Sequence, residues 1–547
     1  MNVDRVISAP GLRLLAATGA ALTSAKIRGG SMTVGLREFA ELKGDEWSID
    51  DGVGRITWAE ENERTNRLIN GLRGLGLGHG DCVAIYGGNR REWIEAAGAA
   101  ARSSLVWVPV NWHFSVDEVA YVLQNSAAKI LVADAAFGET ARAALALAGV
   151  GIGIAYGGTI EGFVDYDDLL AAASPAEPDG QGSGRPMFYT SGTTGRPKGV
   201  VPKVDILGRD LAVSHAIRNG FQDLLGIPTT DGIAYVGAPL YHAGPIVFGW
   251  GPHDAGSQLV LRQKWDGEDM LRLIEQHEIT TAYAVPTHFT RLLKLPEETR
   301  LSYDVSSLRS VWHTAAPCPP EIKRRMIDWW GPVINELYGA SEGSGAFFTC
   351  SSDEWLAHPG TVGKPSDNTE VHILDDDNND LGPHDVGRIF VRNRSGGDFE
   401  YLGDEDKTAS VHLGPAMYTF GDIGYIDDDG YLYLSDRQID MIISGGVNIY
   451  PAEIEAALAA HELVVDVSVF GVPNEEFGEE VKAAVELLDG TDPAVAEVEL
   501  RHVCRENLAG YMVPRSFDFG PLPRTPTGKL PKRLLRAKYW EGTGRNI

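Results

Sequence analysis

Short apolar runs separated by helical stretches recur along most of this chain, and that alternation confines it to an α/β fold built on parallel sheet. Asp81-Cys-Val-Ala-Ile-Tyr86 follows the turn Gly78-His-Gly-Asp81, and residues 104–110 and 129–134 are two further runs, the last after a helical stretch ending near Gln124. The pattern covers about residues 34–172 and returns at 280–285 and 308–313, with a helical stretch at 321–330. After about Thr361 the texture changes to short strands and acidic turns. The last hundred or so residues restart an α/β pattern: helix 452–460, strands 464–472 and 481–488, helix 495–507. A boundary is therefore expected close to Arg437. Residues 174–186, rich in Pro, Gly and Ser, read as a linker. No internal repeat is visible.

Where that linker ends, Phe188-Tyr-Thr-Ser-Gly-Thr-Thr-Gly-Arg-Pro-Lys-Gly-Val200 breaks from an apolar run into hydroxyls, glycines and a lysine. Glycines let the backbone turn tightly and bring N–H groups close to an anion. Ser191, Thr193 and Thr194 add hydroxyl donors, and Lys198 adds positive charge. The stretch reads as a phosphate cradle. It is not a Walker A loop, which needs Gly, four residues, then Gly-Lys-Ser/Thr.

Composition removes several function classes. The 547 residues hold 48 Lys+Arg against 76 Asp+Glu, a net charge of −28, which argues against broad nucleic-acid binding and docking on anionic membranes. Cys82, Cys318, Cys350 and Cys504 are scattered without metal-ligand spacing, as expected for reduced thiols in a cytoplasmic protein. No run is long enough to span a membrane. Residues 1–30 read as a helix or loose extension rather than a signal peptide. The acidic runs at 375–380 and 427–430 read as solvated hairpin turns rather than cation sites, which need ligands alternating around a glycine.

Four further motifs follow the loop in order: Glu336-Leu-Tyr-Gly-Ala-Ser-Glu-Gly343, Tyr418-Thr-Phe-Gly-Asp-Ile-Gly424, residues 436–455 around Ser444-Gly-Gly446, and Pro523-Arg-Thr-Pro-Thr-Gly-Lys-Leu-Pro-Lys-Arg533. With the loop, these resemble the adenylate-forming superfamily of acyl-CoA synthetases, luciferases and adenylation domains, over about residues 34–536. The texture is closest to fatty-acyl, bile-acid and aryl-acid CoA ligases. The resemblance implies a large N-terminal domain of βαβ-type sheets with helices plus a small β-barrel-like subdomain (31–436), then a small mobile α+β C-terminal domain (437–547) hinged at about 437–440.

It also implies roles. Thr190, Ser191, Gly192, Thr193, Thr194, Gly195 and Lys198 would hold the terminal phosphates of ATP. Tyr338 would stack on adenine beside Glu336, Gly339 and the small segment Ala315, Ala316 and Pro317. Ser341, where Thr is usual, would contact the α-phosphate, and Glu342 would bind Mg²⁺. Asp422 would take the ribose hydroxyls, although Phe420 interrupts the usual Thr-Gly-Asp, and Arg437 would add a contact. Lys529 would bridge carboxylate and α-phosphate. His242 would contact the carboxylate or gate its access, with Tyr241, Ala243, Gly244, Phe248, Val285 and Phe347 lining the acyl pocket. The Ser444–Gly446 loop would open a pantetheine tunnel, and Lys532, Arg533 and Arg536 would touch phosphates. The expected cofactors are ATP, Mg²⁺ and CoA. The partners are a carboxylic acid and either CoA or an amine as acceptor; homodimers occur in the family. Ile439 stands where the hinge usually has Asp or Lys, a stiffer and less water-loving side chain. That departure opens the amide-forming alternative, in which an amine captures the acyl-adenylate. A non-catalytic sensor would lack Lys529, Glu342 or Asp422, and all are present.

Overall fold

A computed structural model describes residues 35–190, 196–204, 206–437, 440–445, 447–474, 476–524 and 530–541, the side chains of Asp436 and Arg437 excepted. The expected extension 1–30 lies outside these residues.

Two sheets dominate the N-terminal part. In the first, six strands run parallel in the order Val164–Asp165, Ile152–Tyr156, Ala128–Asp134, Cys82–Tyr86, Val106–Val110, Arg185–Pro186. Cys82–Tyr86 and Val106–Val110 are buried at every position, as strands covered by helices on both faces must be. The crossover helices are well specified locally. Before Val116–Asn125, Ser115 accepts from the Glu118 N–H while the Glu118 carboxylate reaches back to the Ser115 N–H. The second sheet has nine strands, and its centre is a parallel run of Ile334–Tyr338, Ser310–His313, Thr281–Ala284, Ile233–Val236 and Gln258–Leu261. Its outer strands at one edge, Phe348–Cys350 and Lys364–Pro365, are antiparallel.

The short strands after Thr361 form a six-stranded antiparallel sheet, from Thr369–Leu374 to Leu432–Arg437. Its strand order does not close on itself among the described residues, so the expected barrel-like body is not a closed barrel. The turn at Asp427 is a tight hairpin between Asp422–Ile426 and Leu432–Arg437, its carboxylate accepting from the N–H groups of Asp429 and Tyr431. The last part is a five-stranded sheet centred on Val464–Asn474 and Gly478–Leu487, with the helices Pro451–Ala459 and Pro493–Asn507. Among the described residues no helix is long and apolar enough to cross a membrane, and the four cysteines are free thiols.

The segment read as a linker is pinned instead. The buried Arg102 guanidinium, 2.9 Å from Glu177 and 2.9 Å from the Gln181 amide oxygen, ties it down, and Arg185–Pro186 joins the parallel sheet as its edge. A guanidinium taken out of water needs a carboxylate partner, and composition alone cannot show that this segment supplies one.

A second buried pair joins the helices Gly251–Asp254 and Trp58–Gly74. His253 Nε2 sits 3.0 Å from Glu61, its Nδ1 faces the Ser257 carbonyl at 2.8 Å, and its ring stacks on Trp58. Burial favours the neutral ring, but the Glu61 carboxylate outweighs it and raises the His253 pKa. A raised folded-state pKa stabilises fully below the unfolded value and is lost as pH rises through the folded value. The wild-type denaturation midpoint should therefore fall more between pH 6 and pH 9 than that of His253→Gln, measured by urea titration. Equal falls would show that the pair does not titrate with folding.

Candidate active site

The central parallel strands of the nine-stranded sheet end side by side, and each hands its chain to a predicted site segment. Ile233–Val236 leads to Tyr241 and His242, Thr281–Ala284 to Val285, Ser310–His313 to Ala315–Pro317, and Ile334–Tyr338 to Gly339, Ser341 and Glu342. Crevices beyond the carboxyl ends of parallel strands are where open α/β sheets bind ligands. Here the crevice is a cavity of about 2100 Å³. It is lined by Thr190, Lys198, Tyr241, His242, Ala243, Gly244, Phe248, Val285, Ala315, Ala316, Pro317, Glu336, Tyr338, Gly339, Ser341, Glu342, Phe347, Asp422 and Lys532, whereas Ser444, Arg533 and Arg536 are not among its walls and the Arg536 guanidinium lies over the Trp540 ring.

The polar half forms where the sheets meet. The Tyr338 hydroxyl donates to Asp422 Oδ2 at 2.6 Å, which joins the nine-stranded sheet to the six-stranded one. Asp422 pairs across the ladder with Arg437, so the backbone of that residue is beside it. Glu342, in a single turn of 3₁₀-helix after Tyr338, accepts from the Tyr401 hydroxyl at 3.0 Å and from Thr190 Oγ1 at 3.5 Å. Burial and that carboxylate hold the Tyr401 pKa far above its ordinary value, so Tyr401 remains a donor. Tyr189–Thr190 and Lys198–Pro202 are antiparallel with Lys198 opposite Thr190, which places both residues at the mouth of the glycine-rich loop. Lys198 Nζ pairs with Asp404 at 3.1 Å over the Tyr401 ring. A backbone N–H from Lys407 and the charge of Lys198 hold the Asp404 pKa below its usual value.

Mg²⁺ prefers one or two carboxylates completed by phosphate oxygens and water. Glu342 with its neighbouring hydroxyls fits that requirement, and no cluster of three His, Cys, Asp or Glu side chains competes among the described residues. Ser191, Gly192, Thr193, Thr194, Gly195, Ile439, Gly446 and Lys529 lie outside the described residues, as does the Arg437 side chain.

The Glu336 carboxylate, at the cavity wall, also pairs with the helix packed against its strand. Lys323 Nζ, fully buried on the helix Pro320–Trp330, lies 2.6 Å from Glu336 Oε2, and His313 Nε2 is 3.5 Å from the same oxygen. Burial raises the Glu336 pKa and Lys323 opposes that rise, while burial and Lys323 keep His313 neutral. This pair clamps the strand carrying Tyr338 to the helix that follows Pro317. Ala315 sits at φ +77°, a left-handed conformation that is costly for any residue with a Cβ, and it presents the backbone of its turn to the cavity.

The other half is apolar. Phe248, in a π-helical turn, stacks on both Tyr283 and Trp312, and Val285 is buried beside them. Phe221 meets Phe347 edge to face at 5.5 Å. The cavity also reaches the C-terminal part, where Arg524 pairs with Asp466 and Lys532 with Glu455. Lys294 donates to the Val464 carbonyl, joining the two parts directly. Lys323, Tyr401, Asp404 and Tyr283 had no signal in the sequence, because each reaches the site only through strand pairing or helix packing.

Residues 36–396 match the AMP-binding enzyme family and residues 453–529 match the AMP-binding enzyme C-terminal domain. A feruloyl-CoA synthase of an Amycolatopsis species is 33% identical, over 90% of this chain and 96% of its own. A fatty acid–acyl-carrier-protein ligase, ScoC of Streptomyces coeruleorubidus, is 30% identical over 90% of this chain and 93% of its own. Among solved structures, the amide bond synthetase McbA of Marinactinospora thermotolerans superposes with a TM-score of 0.76 at 26% identity, covering 92% of this chain and 99% of that one. With two sheets that converge on one cavity and a match that runs through most of its length, this chain belongs to the AMP-binding enzyme family.

Proposed function

We propose that the protein activates a carboxylic acid with ATP as an acyl-adenylate, releases pyrophosphate, and passes the acyl group to CoA. The observation that carries this reading is that one cavity joins an apolar recess at Phe248 to the polar cluster of Glu342, Lys198, Tyr338 and Asp422. The acid's body fits the first and a triphosphate nucleotide the second.

In the first step a carboxylate oxygen bonds to the α-phosphorus, and the bond from that phosphorus to the bridging oxygen breaks. Pyrophosphate carries away the electron pair. Catalysis is then positioning and charge stabilisation. Tyr338 flanks adenine, and the Asp422 carboxylate beside it accepts from ribose hydroxyls. Ser341 reaches the α-phosphate. The loop 191–195 and Lys198 hold the departing end. Glu342 would hold Mg²⁺, which would supply positive charge at the reacting phosphate. Lys529 brings carboxylate and phosphate together. In the second step the acceptor bonds to the acyl carbon, AMP leaves, and the acceptor loses its proton. We assign residues 437–547 to a unit that turns about 437–440 between the steps, bringing in the Ser444–Gly446 loop.

An amine is the alternative acceptor. Ile439 at the hinge favours it, as does the likeness to an amide bond synthetase. The test is pyrophosphate release across aryl, medium-chain and steroid-side-chain acids, with CoA, with simple amines, and with neither. Thioester formation with CoA is expected. Amide without thioester would replace CoA by the amine, and no pyrophosphate with any acid would end the activation reading.

A further inference from the structure

One wall of the apolar recess carries an unanswered polar atom. Along the strand Thr281–Ala284, Ala282 and Ala284 join the core beneath the sheet, whereas Tyr283 faces the other way with Phe248 and Trp312. The Phe248 ring lies nearly parallel to both, 6.0 Å from Tyr283 and 5.1 Å from Trp312, so the tyrosine is held in place. Tyr283 is 2% exposed and lines the cavity, yet its hydroxyl has no hydrogen bond to any described residue. The neighbouring Trp312 N–H, by contrast, donates to Ser310 Oγ at 2.9 Å. Gly244, also at the cavity wall, makes room for the Tyr283 hydroxyl: a Cβ there would come within 2.5 Å of it. Burial raises the Tyr283 pKa, so the group is a neutral donor and acceptor.

Ligand pockets fix orientation with a few polar groups set in apolar walls. A hydroxyl that no described residue answers, reached from a substrate recess, is such a place for the substrate's own polar atom. The surrounding walls combine aromatic rings, Phe248 and the Phe221–Phe347 pair packed against the same cluster, with the aliphatic Val247, Val285 and Leu337. Such surfaces suit a flat ring. Resting on the acid-activation reading above, we infer that the acid is aromatic and carries a ring hydroxyl, amino or carbonyl group, and that Tyr283 recognises it by a hydrogen bond. A site built to bond a substrate hydroxyl rejects the analogue lacking it far more strongly than an apolar pocket rejects an added methylene.

The test uses the full-length protein and matched pairs of benzoic and cinnamic acids, each with and without one ring hydroxyl or amino group, compared by kcat/KM for pyrophosphate release. At least one substituted acid should be preferred over its plain partner by ~10-fold or more. In Tyr283→Phe that ratio should collapse to within about threefold of one. A purely structural tyrosine would lower both members of a pair equally and leave the ratio intact. The inference is overturned by wild-type ratios that all stay near one, whether or not the variant folds, and by a ratio that survives Tyr283→Phe. Adenylates formed equally well from plain and substituted acids sink the inference alone. Pyrophosphate release with medium-chain or steroid-side-chain acids but with none of these aromatic acids sinks the inference alone, whereas no release with any acid of either panel sinks the activation reading and the inference with it.

Discussion

Glu342→Gln is expected to lower pyrophosphate release about 10²–10³-fold, the scale on which single preorganised charge-stabilising groups act. Glutamine keeps the shape of the side chain, and its amide oxygen still accepts from the Tyr401 hydroxyl that now lies 3.0 Å from the carboxylate. What it loses is the negative charge that holds a hard cation. The half-saturating Mg²⁺ concentration should rise, and Mg²⁺-dependent binding of a non-hydrolysable ATP analogue should weaken in equilibrium dialysis. A variant with wild-type rate and wild-type Mg²⁺ dependence would remove Glu342 from the metal site.

The second large effect concerns the clamp behind the strand that carries Tyr338. Lys323→Ala leaves the Glu336 carboxylate buried without its 2.6 Å partner. Breaking a buried pair from one side costs about 3–5 kcal/mol, whereas replacing both partners with apolar side chains of similar volume is often neutral. The Lys323→Ala protein should therefore unfold at clearly lower urea concentration, while the double replacement Lys323→Met, Glu336→Leu should recover most of the loss. If the single variant matches wild type, the pair is not a structural clamp. If the double variant recovers stability but not ATP affinity, the charges also set the position of Tyr338.

The sequence exposes what is local and leaves out what is assembled. Strand 81–86 and helix 321–330 are legible because burial on both faces, or on one helical stripe, writes itself into consecutive residues, and the structure places them at Cys82–Tyr86 and Pro320–Trp330. Tyr338 and Asp422 are legible as motif positions, but the 2.6 Å bond between them spans 84 residues and no pattern announces it. Tyr401 is invisible for the same reason: it reaches Glu342 only because Phe399–Tyr401 pairs with Lys198–Pro202. Residues 174–186 read as a linker because Pro, Gly and Ser content reports backbone freedom, and composition does not show that the buried Arg102 fixes where Glu177 goes. The short strands after Thr361 are legible as a change of texture, and only their pairing shows that the sheet they build does not close.

The central claim is that the acid's own oxygen attacks the α-phosphorus. Running one complete turnover with a carboxylic acid labelled with ¹⁸O in both carboxyl oxygens, and weighing the phosphorus products by mass spectrometry, tests it most directly. The account predicts one ¹⁸O atom in AMP and none in pyrophosphate, whether CoA or an amine takes the acyl group. Label in orthophosphate accompanied by ADP, or AMP without label, would contradict it.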